Sequence, residues 1–383
     1  MANDLTVVIL AAGAGTRMRS AWPKVLHRIA GRPMVSHVVA TAEALKPARL
    51  AVVIGPDHQA VAAAVAPHAT AIQTRPQGTG DAVKAAREHL KGADEVLVLY
   101  GDTPLLTAAT LRKLLAARRR RKAAVAVLGF RPADPTPYGR FVTDGGSLQR
   151  IVETKDATAE ERRIGLCNAG VMAIDGSVAI KLLDKLRNDN AKGEYYLTDL
   201  VALARAGKRD CTFVEGDAAE FQGINSRAEL AAAEAALQQR LRTAAMENGA
   251  TLEEPGSVYF SWDTRLGRDV TVGPNVVFGP GVVVEDNVVI RGFCHIEGAR
   301  IGRNAIVGPF ARLRPGTALG EDVHIGNFVE VKASSLGRGA KANHLAYVGD
   351  ATVGATVKIG AGVIPVTYDG FGQYRTEVGA GAF

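Results

Sequence analysis

A glycine-rich segment near the N-terminus carries the first residues that could do chemistry. The apolar run at residues 6–10 leads into AAGAGTR at residues 11–17, and Lys24 comes seven residues after Arg17. Glycines after a strand let backbone N–H groups approach phosphates. The dinucleotide fingerprint G-x-G-x-x-G fails at Met18, and the P-loop pattern G-x-x-x-x-G-K-[ST] is absent. Two cations beside open amides instead suit a triphosphate that must lose pyrophosphate.

A second group of polar residues interrupts the C-terminal third of the chain. RLRPG at 312–316, GNFVEVK at 326–332 and KANHLAY at 341–347 break an otherwise regular apolar repeat. Imidazole titrates near neutrality, so His344 suits a general base. A histidine on a strand face is more often structural, but the nearby Glu330 and Lys332 favour a site.

Residues 1 to about 225 must position the first group. Apolar runs at 6–10, 50–54, 95–100 and 124–130 are typical of buried strands, and amphipathic segments such as 81–90 lie between them. This alternation predicts an α/β domain with a parallel, doubly wound sheet, whose ligands bind at the carboxyl ends of the strands.

A helix of a different kind follows. Ser226 and Glu229 have the spacing of a capping box, an Ala-rich stretch continues to Asn248, and Gly249 stops it. We expect one long connecting helix, which is compatible with a helix packed on the first domain.

A six-residue repeat begins after about residue 252. It predicts a triangular solenoid with three short strands per coil, because neither helices nor hairpin strands have this period. Such a solenoid has a thin axial core, and its flat faces favour association into a threefold ring. The apolar positions of the repeat, with slips of one residue before Ile301, Leu336 and Val353, are Leu266, Val272, Phe278, Val284, Ile290, Ile296, Ile301, Val307, Leu313, Leu319, Ile325, Val331, Leu336, Val353 and Ile359.

Composition excludes several classes of protein. The chain has 383 residues, of which 47% are hydrophobic and 22% charged, which excludes disorder over most of its length. No apolar run approaches a membrane span, and the start, with Asp4, lacks the basic region of a secretory signal. Three scattered cysteines without a CxxC pair indicate a reducing cytoplasm and no metal–thiolate site.

The net charge of +7 could indicate an anionic small molecule or a nucleic acid. The one dense basic run, RRRRK at residues 118–122, follows a helical pattern. Cations at a helix C-terminus complement the helix dipole, so we interpret this run as a solvated helix end rather than a nucleic-acid patch.

The motifs together resemble those of a known family. LAAGAGTRM at 10–18 and PKVL at 23–26 are similar to the signature of sugar-1-phosphate nucleotidyltransferases. Over nearly the whole chain the order of segments resembles the family of bifunctional N-acetylglucosamine-1-phosphate uridyltransferases/glucosamine-1-phosphate acetyltransferases. The segments that carry this resemblance are Gln73 with GTG at 78–80, YGD at 100–102, YGR at 138–140, IVE at 151–153, NAG at 168–170, EYYLTD at 194–199 and GIN at 223–225.

The resemblance implies a domain organisation and a first reaction. A Rossmann-like nucleotidyltransferase domain spans residues 1–225, a connecting helix 226–250, and a left-handed parallel β-helix 251–383. The phosphate of N-acetylglucosamine 1-phosphate attacks the α-phosphorus of UTP, which releases pyrophosphate and gives UDP-N-acetylglucosamine, a precursor of peptidoglycan and lipopolysaccharide.

The resemblance also implies roles for residues of the first domain. Asp102 and Asn225 hold Mg²⁺, which takes few protein ligands, and Lys24 and Arg17 stabilise the pyrophosphate. The implied nucleotide and sugar contacts are Leu10, Ala11, Ala12, Gly13, Lys24, Gln73, Gly78, Thr79, Tyr100, Gly101, Asp102, Gly139, Glu153, Asn168, Thr198 and Asn225.

Structural alternatives exist for three of these residues. Asp102 could cap the following helix, Asn225 could cap the connecting helix, and Glu153 could be an exposed acid at a strand end.

For the second domain the resemblance implies acetyl transfer. His344 takes a proton as the amine of glucosamine 1-phosphate attacks the thioester of acetyl-CoA, and Glu330 orients His344. Arg314, Lys332, Tyr347 and Tyr368 contact the sugar phosphate.

Acetyl transfer is expected to be weak or absent in this chain. Thr367 and Lys358 stand where the family has asparagine, and the sequence ends at Phe383, several coils before the family does. We expect the missing coils to remove contacts to acetyl-CoA.

Two other functions remain open at this stage: a nucleotidyltransferase for another sugar phosphate or nucleotide, and a non-catalytic trimeric scaffold. The expected partners are the four substrates named above, with neither nucleic acid nor membrane, in a cytoplasmic homotrimer.

Overall fold

A computed structural model describes residues 4–13, 15–372 and 374–383. The chain divides into two units, Met1–Ala233 and Glu234–Phe383, and the division falls inside one long helix. In the described part of the chain, none of the helices combines the length and the apolar character needed to cross a membrane. The three cysteines are buried free thiols.

The first unit alternates strands and helices. Its strands are β1 (Leu5–Leu10), β2 (Arg28–Ile29), β3 (Arg32–Pro33), β4 (Arg49–Ile54), β5 (Ala69–Ile72), β6 (Glu95–Tyr100), β7 (Val125–Phe130), β8 (Arg140–Asp144), β9 (Ser147–Val152), β10 (Cys167–Asp175) and β11 (Cys211–Glu215). Its helices are α1 (Met34–Glu43), α2 (Gln59–Val65), α3 (Thr79–Ala85), α4 (Arg87–Leu90), α5 (Ala108–Arg121), α6 (Gly176–Asp184) and α7 (Asp199–Ala206), and α8 (Arg227–Glu247) follows them.

The central sheet confirms the doubly wound fold. Its order is β11-β7-β10-β6-β1-β4-β5, and β1 runs parallel to both β4 and β6. The prediction of a wholly parallel sheet is wrong at β10, which is antiparallel to β6 and β7 and also pairs with the β8–β9 hairpin. The predicted helix at 81–90 is two short helices that break at Ala86.

The basic run at the end of α5 is only partly a solvated helix end. Arg118 is 7% exposed, and its guanidinium bonds to the fully buried carboxylate of Glu95. Arg119 bonds to the other oxygen of Glu95 at 2.5 Å. Because a buried carboxylate needs paired charge and hydrogen bonds, the buried Arg118 and the exposed Arg119 both neutralise Glu95.

The start of α8 confirms the predicted capping box. Ser226 Oγ accepts the Glu229 N–H at 3.2 Å, and Glu229 Oε2 accepts the Ser226 N–H at 2.9 Å. Glu229 Oε2 also accepts the Asn225 N–H at 2.5 Å. The backbone just before the helix is therefore fixed by a side chain from its first turn.

The second unit is built from short parallel strands. They are β12 (Thr251–Leu252), β13 (Arg265–Leu266), β14 (Thr271–Val272), β15 (Val277–Phe278), β16 (Val283–Val284), β17 (Val289–Ile290), β18 (His295–Ile296), β19 (Ala299–Ile301), β20 (Ile306–Val307), β21 (Arg312–Leu313), β22 (Thr317–Leu319), β23 (His324–Lys332), β24 (Ser335–Leu336), β25 (Lys341–Gly349), β26 (Ala351–Val353), β27 (Lys358–Ile359) and β28 (Thr376–Val378).

These strands form a left-handed β-helix. Thr271 pairs with Val289, 18 residues on, and Val283 pairs with Arg300, 17 residues on, so three hexapeptides make one coil and each register slip removes one residue. The repeat positions point inward; Val272, Ile290 and Ile325, for example, are fully buried. The prediction of a triangular solenoid is confirmed.

The polar insertions make the two longest strands of this unit, β23 and β25, which pair along most of their length. A Cβ atom on Gly326 would lie 1.7 Å from the Asn343 carbonyl oxygen, so the approach of these strands requires glycine there.

Candidate active sites

Two backbone hydrogen bonds build the centre of the first candidate site. The Gly101 N–H donates to the Leu10 carbonyl at 2.9 Å, which ties the end of β6 to the end of β1. The Ile224 N–H donates to the Asp102 carbonyl at 3.0 Å. Segments far apart in sequence therefore meet where two parallel strands end.

Lys24, Asp102 and Asn225 come into direct contact at this point. Lys24 Nζ lies 2.5 Å from Asp102 Oδ2 and 2.9 Å from Asn225 Oδ1. The side chains of Lys24 and Asp102 are 11% and 20% exposed, so water screens the pair less than it would screen a surface ion pair. The three side chains form one charged cluster, which we call the lysine–carboxylate–amide cluster.

The capping alternatives for Asp102 and Asn225 are wrong. Thr107 caps α5, because its side chain accepts the Thr110 N–H at 3.2 Å. Ser226 caps α8. Both oxygens are thereby left to the cluster.

A cavity of about 260 Å³ opens on one side of the cluster. Residues at the end of β1, at the start of α3 and around Lys24 and Asp102 contribute to its wall. It is lined by Leu10, Ala11, Ala12, Gly13, Lys24, Val25, Gln73, Pro76, Gly78, Thr79, Ala82, Tyr100, Asp102 and Glu194. We call it the first cavity.

Gln73 is fixed in the wall of the first cavity. It is 7% exposed, and its amide nitrogen donates to Asp81 Oδ2 at 2.8 Å and to the Gly78 carbonyl at 3.2 Å. Both donors of the amide are used on protein acceptors. The side-chain carbonyl of Gln73 is therefore the atom it can offer as an acceptor to a ligand.

A second cavity of about 220 Å³ shares Tyr100 and Asp102 with the first. We call it the second cavity. Ligands bound in the two cavities would therefore meet at Asp102. The second cavity is lined by Tyr100, Asp102, Thr103, Pro137, Tyr138, Gly139, Glu153, Asn168, Ala169, Gly170, Phe221 and Gly223.

Hydrogen bonds connect the walls of the two cavities. The Thr79 hydroxyl accepts the Leu197 N–H at 3.0 Å, and Thr198 Oγ1 donates to Glu153 Oε1 at 3.3 Å. Burial raises the pKa of the Tyr100 hydroxyl, and the charge of Glu153 adds to that effect, while a hydrogen bond with Thr79 opposes it. Tyr100 therefore stays a neutral phenol between the cavities.

Glu153 is not the exposed acid of the structural alternative. Burial raises the pKa of its carboxyl group, against the lowering effect of the Thr198 hydrogen bond. Two glycines in the cavity walls are required by close approach: a Cβ on Gly170, at φ +85°, would lie 2.8 Å from the Tyr100 ring, and one on Gly78, at φ +103°, would lie 2.7 Å from the Tyr195 carbonyl oxygen.

Arg17 and several lining residues differ from the sequence-based set. Arg17 is exposed in a short 3₁₀ helix, Thr16–Met18, and among the described residues it does not line either cavity. Sequence reasoning missed Asp81, which fixes Gln73, and Tyr138, which lines the second cavity. Asp81 had a weak signal, since it falls in the first turn of a predicted helix close to Gln73.

A third, acidic cavity of about 350 Å³ lies next to Glu153 and includes Asp156, Asp189 and Asp199. Burial first, and then the charges of Glu153, Asp189 and Asp156, raise the pKa of Asp199 from 3.8 to about 6. Among the described residues, groups of three or more His, Cys, Asp or Glu side chains suited to a metal are absent. We interpret this cavity as a source of pH-dependent stability.

The second candidate site lies on the long strands of the β-helix. Arg314 Nη1 donates to Glu330 Oε1 at 2.8 Å, and Lys332 Nζ lies 3.1 Å from Asp350 Oδ2. Strand register places Glu330 beside Tyr347 and His344 beside Asn327. The structure therefore pairs Glu330 with Arg314 rather than with His344, which is exposed.

Tyr368 forms a hydrogen bond within its own segment of the chain. It is 63% exposed, and its hydroxyl donates to the Gly370 carbonyl at 2.9 Å.

Comparison with known families matches both units. The MobA-like NTP transferase domain matches residues 7–164, and the bacterial transferase hexapeptide (six repeats) family matches residues 263–298 and 298–333. A crystal structure from Bacillus anthracis, described as a glucose-1-phosphate thymidylyltransferase in complex with sucrose, superposes with a TM-score of 0.50 at 19% identity. The match covers 60% of this chain and 94% of that chain. This superposition speaks to the fold alone.

Relatives named bifunctional protein GlmU match over the chain's full length. The protein from Rhodospirillum rubrum is 63% identical over 98% of this chain and 85% of its own. Those from Paramagnetospirillum magneticum and Xanthobacter autotrophicus are each 58% identical over 100% of this chain, and over 85% and 86% of their own lengths.

We predict that Asp199→Asn stabilises the protein at pH 8 more than at pH 5. Because the folded-state pKa of about 6 exceeds the usual 3.8, the folded state holds this proton more tightly. The free energy of unfolding therefore falls as pH rises between these two values and stays low above them. The amide should gain about 1 kcal/mol at pH 8, after discount for solvent screening.

Urea unfolding at both pH values measures this difference. Asp144→Asn, at the exposed end of β8, is the matched control and should change neither midpoint. An equal shift for Asp199→Asn at pH 5 and pH 8 would contradict the role given to its buried carboxylate.

Proposed function

Because the chain belongs to the family of bifunctional GlmU proteins, we propose that its first unit makes UDP-N-acetylglucosamine and pyrophosphate from UTP and N-acetylglucosamine 1-phosphate. The observation that carries the proposal is the position of the lysine–carboxylate–amide cluster at the junction of two cavities. The first cavity takes the nucleotide and the second takes the sugar phosphate. Their phosphates then meet beside Asp102.

The reaction has to bring two anions together. The attacking sugar phosphate is already ionised, so no side chain has to remove a proton from it. What the protein supplies is alignment and positive charge near the α-phosphate and the departing pyrophosphate. Lys24 is placed to supply that charge because its ammonium lies in the wall of the nucleotide cavity. Arg17, from its exposed position, is proposed to act on the pyrophosphate.

The oxygens of Asp102 and Asn225 fit a divalent cation. Both lie within 3 Å of a single ammonium, so they converge on one point, and carboxylate and amide oxygens are ligands that Mg²⁺ accepts. Bound there with the nucleotide, Mg²⁺ would neutralise phosphate charge. We propose Mg²⁺ as the metal and these two residues as its protein ligands.

Gln73 accounts for a preference for uracil. Uracil carries an N–H donor at position 3, whereas cytosine has an acceptor at the same position. The carbonyl of Gln73 is the free acceptor in the wall because Asp81 and Gly78 hold the amide nitrogen. If cytosine bound there, its ring nitrogen and the Gln73 carbonyl would be two acceptors facing each other without a proton between them. The site therefore rejects cytosine strongly.

The sugar contacts come from the walls of the second cavity. Asn168 Oδ1 accepts the Gly170 N–H at 2.9 Å, which leaves the Asn168 amide nitrogen to donate to a sugar hydroxyl. Glu153 accepts from Thr198 through one oxygen and keeps the other for the sugar. Gly139 lines the same cavity and leaves room for the ring.

The second unit is proposed to transfer an acetyl group from acetyl-CoA to glucosamine 1-phosphate. His344 is exposed and open to a substrate amine. Lys332 ends the neighbouring strand β23, and Arg314 directly follows β21, which pairs with β23, so both are proposed as cations for the phosphate of the substrate. Tyr347 and Tyr368 are proposed sugar contacts. The comparisons give no support to impairment by a shortened C-terminus. The weaker rate expected from Lys358 and Thr367 stays a prediction.

The proposed setting is a cytoplasmic homotrimer that supplies cell-wall precursors. Another sugar-1-phosphate nucleotidyltransferase and a non-catalytic scaffold are not supported by the comparisons. A scaffold, moreover, would have no use for a lysine–carboxylate–amide cluster between two cavities.

Pyrophosphate release tests the first activity. With UTP and N-acetylglucosamine 1-phosphate, we expect release that depends on Mg²⁺, and Asp102→Asn should lower kcat by about 10²-fold or more, because the charge at the reacting phosphates is no longer balanced. Asp144→Asn serves as the control with the same change of charge. If Asp102→Asn released pyrophosphate at the wild-type rate, the site would be wrongly assigned.

Asp81→Ala tests base recognition. Without its acceptor, the Gln73 amide can turn and present its nitrogen to the base, so the ratio of kcat/KM for UTP over CTP should fall by about tenfold or more. The ratio is measured with each triphosphate under the same sugar phosphate. An unchanged ratio would show that Asp81 does not fix Gln73 for this purpose.

His344→Ala tests the second activity. Coenzyme A release from acetyl-CoA should depend on glucosamine 1-phosphate and drop by about 10²-fold in the variant, since general-base catalysis contributes on this scale. His295→Ala, on another strand of the same unit, is the control. Comparing the rates of coenzyme A release and pyrophosphate release in the wild type also tests the weaker acetyl transfer expected from Lys358 and Thr367. Coenzyme A release that does not depend on glucosamine 1-phosphate would contradict the assignment.

A further inference from the structure

The ammonium group of Lys24 lies on the same two oxygens that the proposed metal needs. Its Nζ atom is 2.5 Å from Asp102 Oδ2 and 2.9 Å from Asn225 Oδ1. These are the distances of charge-assisted hydrogen bonds, so the lysine is a full partner of the pair rather than a distant neighbour.

A lysine and a divalent cation compete for this pair. Mg²⁺ binds oxygen at about 2.0–2.1 Å, so a cation on both oxygens would lie against an ammonium that touches the same two atoms. Like charges at such a separation repel, and the partial burial of Lys24 and Asp102 weakens the screening by water. The two cations therefore exclude each other as long as Lys24 keeps this position.

A triphosphate offers Lys24 another partner. Lys24 lines the first cavity, where the proposed nucleotide binds. Its four-carbon side chain is flexible and its head is a compact charge, so a small rotation can carry the ammonium from the carboxylate to a phosphate. That movement leaves the oxygens of Asp102 and Asn225 open.

We propose that Lys24 is an internal counter-ion that keeps the Asp102–Asn225 pair closed to metal until a nucleoside triphosphate draws the ammonium away. The inference rests on the proposed function, because it takes Asp102 and Asn225 as the metal ligands. Its consequence is that metal and nucleotide bind cooperatively. By linkage, each raises the affinity of the other by the same factor.

Metal binding without any substrate tests this coupling, and no turnover is read. Mn²⁺ is the probe, and electron paramagnetic resonance measures the concentration of free Mn²⁺ in solutions of the full-length chain. Lys24→Met keeps the length of the side chain and removes its charge, so Mn²⁺ affinity should rise by about tenfold or more. Lys91→Met is the matched control, since it removes an ammonium from an exposed ion pair with Glu88 at 2.6 Å.

Asp102→Asn in the wild-type and Lys24→Met backgrounds locates the bound ion. The gain from Lys24→Met should disappear when Asp102 is replaced. Circular dichroism checks folding, and Lys24→Gln provides a second neutral side chain should the Met variant misfold. Isothermal titration of UTP adds an independent reading: the ratio of its affinities with and without Mg²⁺ should be smaller in Lys24→Met than in the wild type.

The outcomes separate this inference from the function on which it rests. If Lys24→Met binds Mn²⁺ no better than wild type while Asp102→Asn abolishes binding, the counter-ion is overturned and the metal ligands stand. If the gain persists after Asp102→Asn, or Lys91→Met gives the same gain, the ion binds elsewhere or follows net charge. The inference then fails, and in the first of these cases the metal assignment fails with it.

Discussion

The contact between Lys24 and the oxygens of Asp102 and Asn225 is the interaction on which the rest of the first unit depends. It concentrates opposite charges at Asp102, which lines both cavities. The sheet makes the contact possible because the parallel strands β1 and β6 end at the same edge, where Gly101 and Leu10 are hydrogen-bonded. Every other feature of the site either opens space beside this contact or fixes the walls of that space.

The walls of the two cavities are linked by hydrogen bonds. Thr79 lines the first cavity, and its hydroxyl holds the backbone of Leu197. The neighbouring Thr198 holds Glu153 in the wall of the second cavity. Tyr100 stands between the cavities as a neutral, half-buried ring packed on Gly170. A short chain of polar contacts therefore joins the two walls.

Local patterns predicted the elements better than the contacts between them. The runs at 50–54 and 95–100 are buried strands because every residue in them is apolar or, as with Glu95, paired in the core. Strand direction leaves no such local pattern, so the reversal at β10 was unpredictable. The partner of Glu95 lies in a basic run whose sequence is typical of a solvated helix end, so the sequence does not indicate the pair. Glu330 pairs with Arg314 because the register of the coils, and not proximity in sequence, brings these side chains together. The roles of the site residues stay predictions.

The hydrogen bond from Asn225 to Glu229 bears on how the chain can be divided. A boundary drawn at residue 225 follows the motifs, but it separates Asn225 from the carboxylate that fixes its backbone at 2.5 Å. An isolated first unit that is meant to keep the position of Asn225 has to retain the opening turn of α8. The boundary of the first unit is thus set by the cap of α8, which lies beyond the last sequence motif of that unit at residues 223–225.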